Sequence, residues 1–240
     1  MTEECNACVR MLSALLQKDK SRAQHLIKSI GSSGALIPTE NGVQVLIPTT
    51  SLNESQSMPL LTQWINNVNV ADPKPLATSA ATEAPSLDTL TITCRPCGDS
   101  GPEGSARAFV FGPTPLQIVL CTNRLPLMNS DAIESALIHE LIHIYDIRNR
   151  QMDLQDCHQL AYSEVRAARE GECRAAWWPT SCVKERALTS TNIMFGEVGR
   201  ACIRAVFDTA MEDTVPFSPV TKKCAINRKV TPSAIRHSER

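Results

Sequence analysis

Residues 136–146 read ALIHELIHIYD, and two of the chain's five histidines fall in these eleven positions. On an α-helix, residues i and i+4 share a face. His139 and His143 therefore aim their imidazoles at one point, and Glu140 follows the first directly. Two such imidazoles suit a zinc ion, and a neighbouring glutamate can reach a water at that ion; this is the chemistry behind HExxH. The ion would acidify the water and polarise a carbonyl, with Glu140 taking a proton and passing it to the leaving amine. The competing reading is an ordinary helix with two histidines in a core or on a wet face. Ile133, Leu137, Leu141 and Ile144 supply an apolar side, which leaves the histidines at its border.

A catalytic zinc needs a third protein ligand and an open position. Asp146 lies seven residues after His139 and shares its face, but a third ligand from one helix strains the geometry. It serves more easily as a partner behind the ligands or as a cap. Glu164 comes from the next expected helix, 25 residues after His139, and is the favoured ligand. Its competing role is an ordinary helix glutamate paired with a neighbour such as Arg166. His158 is a weaker candidate, since a lone helical histidine is more often structural.

Working outward, residues 5–30 have helical spacing, with Leu12, Leu15, Leu16, Leu26, Ile27 and Ile30 among Lys, Arg and Gln. GSSG at 31–34 interrupts it. Residues 35–90 are rich in Ser, Thr, Pro and Asn and read as an insertion or mobile loop. GVQVLIP within it is a candidate strand, and PLLTQWINNV a candidate short helix. TLTITCRPC, RAFVFG and LQIVLC then predict a small antiparallel sheet. LQIVLC is expected at the sheet edge beside the motif helix, where it would hold an extended substrate by β-augmentation; a core strand is the equal alternative. Helices follow at about 131–149, 153–171, 182–194 and 197–211. Asp131 to Glu134 resembles a capping box, and Gly171 is placed to stop the second helix. The expected organisation is 1–34 helical with a CxxC, 35–90 insertion, 91–217 the catalytic unit and 218–240 an irregular tail. No internal repeat is present. A helix carrying HExxH after a small sheet makes the fold class α+β and zincin-like.

Composition bounds the partners. A formal net charge of −1 provides no field for nucleic acid or an anionic surface. No apolar run approaches the ~18 residues that a membrane span requires. The N-terminal MTEECNACVR is acidic and lacks an apolar centre, so it reads as neither a secretory signal nor an Arg-rich transit peptide. Ten cysteines nevertheless argue against a reducing compartment. They include the pairs Cys5/Cys8 and Cys94/Cys97, with Cys121, Cys157, Cys173, Cys182, Cys202 and Cys224 beyond. The favoured reading is several disulfides; the others are a structural zinc held by both CxxC pairs, or buried free thiols.

HELIHIYD, YSEVRAAREGEC, SCVKERA and VFDTAMEDTVPF follow in order, with CNAC, CRPC and IVLCTN upstream. In these blocks, over roughly residues 94–217 and the N-terminal CNAC, the chain resembles the mitochondrial intermembrane-space metalloproteases that process an ATP-synthase subunit and assist ATP-synthase assembly. The resemblance implies a zinc (Zn2+) endopeptidase, peripheral on the inner membrane, with several disulfides and import linked to cysteine oxidation. Carried over by position, His139 and His143 would be ligands and Glu140 catalytic. Ser163-Glu164-Val165-Arg166 fits the family's Ser-Glu-hydrophobic-Arg block and supports Glu164. Implied partners are the subunit precursor and assembly intermediates. Two features depart from the family: 35–90 is long, and Ala210 stands where a cysteine is usual near the end of the last helix, a loss that Cys202 or Cys224 would compensate. Other functions open to this sequence are a non-cutting, chaperone-like assembly factor, and a cytosolic or nuclear zinc protease or adaptor with reduced thiols.

Overall fold

The motif lies on α3 (Ser130–Arg150), a 21-residue helix buried on most of its circumference. Ile133, Leu137, Leu141 and Ile144 are fully buried, as expected, and Ala136, Ile138 and Ile142 are buried too. α3 is thus a central helix with protein on several sides rather than a one-sided amphipathic one. The computed structural model describes residues 3–18, 20–31, 36–47, 89–99, 104, 106–111, 116–126 and 129–217.

One neighbour of α3 is a five-stranded sheet of β1 (Leu36–Thr39), β2 (Gly42–Leu46), β3 (Thr89–Arg95), β4 (Ala108–Phe111) and β5 (Leu116–Cys121), in the order β1-β2-β3-β5-β4. Its inward side chains, Val43, Val45, Ile92, Ile118 and Leu120, form one core with α3 and with α1 (Glu3–Gln17) and α2 (Arg22–Ser29). The fold is α+β and zincin-like, with one difference from the expected sheet: β3 and β5 pair in parallel, Ile92 opposite Ile118. The chain leaves β3, runs back along the far side of β5 as β4, and returns between them.

Two expectations need correction here. LQIVLC is β5, hydrogen-bonded on both sides, so the core-strand alternative holds and RAFVFG supplies the edge strand, β4. Residues 36–47 are not an insertion but a hairpin that completes the sheet, with GVQVL as β2. Their polar composition hid a short alternation in which Val43 and Val45 point inward. At Gly42 an added Cβ would collide with the Ile92 carbonyl, which is why β3 can approach so closely. PLLTQWINNV and the tail beyond 217 lie outside the described residues.

The helical stretch 5–30 is two helices. Lys20 takes a left-handed φ of 64°, and Ser21 caps α2 by accepting from the Gln24 N–H at 3.1 Å. Both helices share the sheet's core, so 1–34 is not a separate unit. At the start of α3 the cap is Asn129, which accepts from the N–H groups of Asp131 and Ala132, rather than an Asp131–Glu134 box. Asp131 itself lies inside the first turn, where an acid still favours the helix dipole.

A second core joins α4 (Cys157–Glu170), α5 (Pro179–Phe195) and α6 (Val198–Glu212) through Ala161, Val165, Ala168, Val183, Ala187 and Ile203. Gly171 ends α4 as expected, its N–H donating to Ala167 O.

Four disulfides tie these parts: Cys8–Cys94, Cys97–Cys121, Cys157–Cys202 and Cys173–Cys182. Cys8 pairs with Cys94 and Cys97 with Cys121, so the two CxxC pairs do not converge on one structural zinc. Cys202 is the partner of Cys157, eight residues before Ala210 on the same helix. Among the described residues no helix is long and apolar enough to cross a membrane.

Candidate metal centre

α3 and α4 cross at the junction of the two cores, and the candidate residues meet there. The His139 and His143 rings lie 4.9 Å apart, edge to face. Glu164 reaches them from α4: Oε2 is 3.4 Å from His139 Nε2, and Oε1 is 3.6 Å from His143 Nε2. One ligand atom from each of the three residues lies within 4.8 Å of the others. Donors at 2.0–2.2 Å around a tetrahedral ion are separated by about 3.4 Å, so this spacing suits a metal.

Hydrogen bonds fix which ring nitrogen faces inward. His139 Nδ1 is 3.0 Å from Glu172 Oε2. A carboxylate can only accept, so Nδ1 carries the proton. His143 Nδ1 is 2.8 Å from Ser163 Oγ, whose own proton goes to Asp146 Oδ2, also at 2.8 Å. The Ser163 oxygen is then left to accept from His143 Nδ1–H. In the neutral rings this leaves both Nε2 lone pairs aimed at Glu164, the tautomer that metal ligands need. Without a cation, burial opposes protonation of His139, but Glu172 and Glu164 outweigh it and raise its pKa well above the ordinary value. Glu164 Oε2 is buried and has no hydrogen-bond partner. A buried, unsatisfied carboxylate oxygen is costly. A cation between the three side chains would satisfy it, so the residues present fit a divalent ion.

The electrostatics agree with two anions flanking two imidazoles. Burial pushes the Glu164 carboxyl up, but His143 and His139 outweigh it and hold the pKa below the usual range. Burial likewise opposes ionisation of Glu172, yet the His139 contact and Arg107 bring it to about 2. Arg107 Nη2 lies 3.2 Å from Glu172 Oε1. Burial lowers the pKa of His143. Glu140 behaves differently. Burial raises its pKa to about 7, with Glu164 and Glu172 adding to the rise and His139 and a hydrogen bond from the Val110 N–H opposing it. Glu140 therefore lies beside edge strand β4.

Asp146 is not in the ligand group. It is fully buried on the far side of His143, where it accepts from Ser163 and pairs with the equally buried Arg166. Arg166 continues to Asp213, Nε to Oδ2 3.3 Å, and donates to Val215 O. This carries the support of His143 to the end of α6. His158 is exposed in the first turn of α4, away from the centre.

Sequence reasoning missed Glu172 and Arg107, used Ser163 only as part of a motif, and placed Arg166 in that motif or beside Glu164, whereas it pairs with Asp146. Gly171 shows how Glu172 gets there. A Cβ at Gly171 would lie 2.8 Å from Ser135 O and 3.3 Å from His139 Cβ, so only glycine lets the end of α4 come this close to α3. An acid directly after a helix-stopping glycine was the available signal.

Comparison with known proteins agrees with this geometry. The profile of the Peptidase M76 family matches residues 50–218. The mitochondrial inner membrane protease atp23 of Schizosaccharomyces pombe is 29% identical over 154 residues, 56% of this chain and 77% of that one. Proteins named mitochondrial inner membrane protease ATP23 from Scheffersomyces stipitis and Saccharomyces cerevisiae are 31% identical over 120 residues and 32% over 125. The matched region spans 49% and 54% of those two, about half of each. No solved structure matches.

Proposed function

The chain belongs to the Peptidase M76 family, and from that membership we propose that it is a zinc-dependent endopeptidase, with His139, His143 and Glu164 as ligands and Glu140 as the catalytic acid–base. The observation that carries the reading is the trio of inward-facing ligand atoms around the unpartnered Glu164 Oε2, with buried Glu140 beside it. Two imidazoles and one carboxylate are a ligand set that catalytic zinc uses. Bound there, zinc supplies Lewis-acid polarisation of the scissile carbonyl and acidifies water. Glu140 accepts a proton at its carboxylate and returns it to the leaving amine. Glu172 and Ser163 keep the rings turned.

Substrate enters along β4. Cys121 N donates to Arg107 O, so alternation turns residues 107, 109 and 111 towards β5 and leaves the backbone of Ala108 and Val110 on the outer edge. An extended peptide could add there beside Glu140.

The family resemblance assigns the substrate as the N-terminal extension of a mitochondrial ATP-synthase subunit, and adds a role in ATP-synthase assembly. Relatives named inner membrane proteases, together with no described helix able to cross a membrane, favour peripheral attachment to the inner membrane. Four disulfides favour its intermembrane-space side.

The test is cleavage of the subunit precursor by wild type and Glu140→Gln side by side. We expect the variant to keep zinc and lose cleavage by at least about 100-fold. Equal processing would refute Glu140 as the catalytic group. A variant that cannot cut but still supports assembly would separate the two roles.

A further inference from the structure

α4 and α5 are joined by a loop that the Cys173–Cys182 disulfide closes. Cys173 is buried in the second core, so the loop is anchored at its base. At its tip Trp177 and Trp178 are 94% and 78% exposed. Adjacent tryptophans in water do nothing for the fold, because each leaves a large apolar ring unpacked. Pro179 opens α5 directly after them, which stiffens the tip. Along the loop and the first turns of α5, after Glu170 and Glu172, cations outnumber acids. Between Cys173 and Ala187 stand Arg174, Lys184 and Arg186 against the single acid Glu185, all exposed. In a chain whose net charge is −1, this segment is positive, and the acids near it, Glu170 and Glu172, lie in the cleft that Arg174 and Arg186 also line.

We propose that this loop is a membrane-docking element. Trp177 and Trp178 lodge at the headgroup level of a bilayer, and Arg174, Lys184 and Arg186 lie against anionic headgroups. Tryptophan prefers that depth because its ring is apolar and its N–H polar, and each nearby cation adds attraction to an anionic surface. A protein partner would be expected to offer acids at a concave surface, whereas a protruding tip with a cationic collar is complementary to a flat anionic one. The inference rests on the inner-membrane reading above and names the surface that achieves it. Location gives it consequence. Arg174 and Cys182 line a cleft of about 700 Å³ that also includes Glu172, the residue holding His139. Docking through the loop would bring that side of the metal centre to the membrane.

The experiment is flotation of the full chain with vesicles of phosphatidylcholine, with and without phosphatidylglycerol. Cleavage of a soluble peptide is measured on the same samples. Wild type should float with the anionic vesicles. Trp177→Ser with Trp178→Ser should reduce binding at least tenfold, at unchanged peptide cleavage and thermal midpoint. The triple change Arg174→Gln, Lys184→Gln, Arg186→Gln should weaken binding and flatten its salt dependence. In a Trp64→Phe background, tryptophan emission should shift to the blue on vesicle addition. Wild type that cleaves peptide but floats with neither vesicle would overturn the docking proposal while leaving the peptidase reading intact. A tryptophan variant that floats like wild type would overturn it as well.

Discussion

Glu172 accepts a hydrogen bond from His139 at 3.0 Å although 33 residues separate them, and Gly171 makes the contact possible by packing against the same histidine. The carboxylate sets the tautomer and orientation of the ring. Glu172→Ala should therefore lower zinc affinity about 10- to 100-fold with little change in fold. Competition with a chelating dye measures it. An unchanged affinity would show that the contact plays no part in binding.

Glu164 and Asp146 competed as third ligand, and the structure separates their effects. Glu164→Ala should abolish the rise in thermal midpoint that zinc gives the wild type. Asp146→Ala should retain that rise but destabilise the protein by up to about 3 kcal/mol, because buried Arg166 loses one of its two carboxylate partners and keeps only Asp213. Thermal melts with and without zinc read both. The opposite pattern would make Asp146 the ligand.

Asp213 provides a pH test away from the metal. Burial pushes its carboxyl up, but the Arg150 hydrogen bonds, the Arg166 charge and the Tyr162 hydroxyl outweigh burial and hold it below the usual range. A carboxyl with a lowered folded pKa contributes stability that is complete above its unfolded value, about 3.9, and is lost as pH falls through the folded value. Asp213→Asn should be less stable than wild type at neutral pH, and the gap should close below about pH 4. A constant gap across a pH series of melts would contradict this linkage.

The Cys157–Cys202 bridge closes a 45-residue span of the second core. By chain entropy its removal in Cys157→Ser with Cys202→Ser should cost about 4 kcal/mol, seen as a lower denaturant midpoint. Non-reducing electrophoresis of the untreated chain should show faster migration than after reduction. Equal mobility would mean that the cysteines are not paired.

The metal helix was legible because its signal is local. His139, Glu140, His143 and the apolar residues between them obey one helical period, and the period alone puts the two rings on one face. Glu164 was legible as a helical acid at a suitable distance along the chain. Glu172 was not, because its position follows from how closely Gly171 lets α4 approach α3. The hairpin at 36–47 was hidden for a related reason: five residues of alternation are a faint signal inside a polar stretch, and β2 gains its meaning only from β3 beside it. LQIVLC was ambiguous between edge and core, since an apolar run says how buried a strand is but not which strands flank it.

By itself, then, the sequence determined the helix with its inward pair of histidines, the candidate acid beside them, the α+β class and the presence of enough cysteines for several bridges. These depend on backbone periods and residue chemistry that act within a few residues. Tertiary structure alone decided that Glu164 joins the histidines while Asp146 stands behind them with Ser163 and Arg166, that β4 is the edge next to Glu140, and which cysteines pair. Those outcomes are contacts between separate elements, set by how two cores pack across α3, and no local period encodes them.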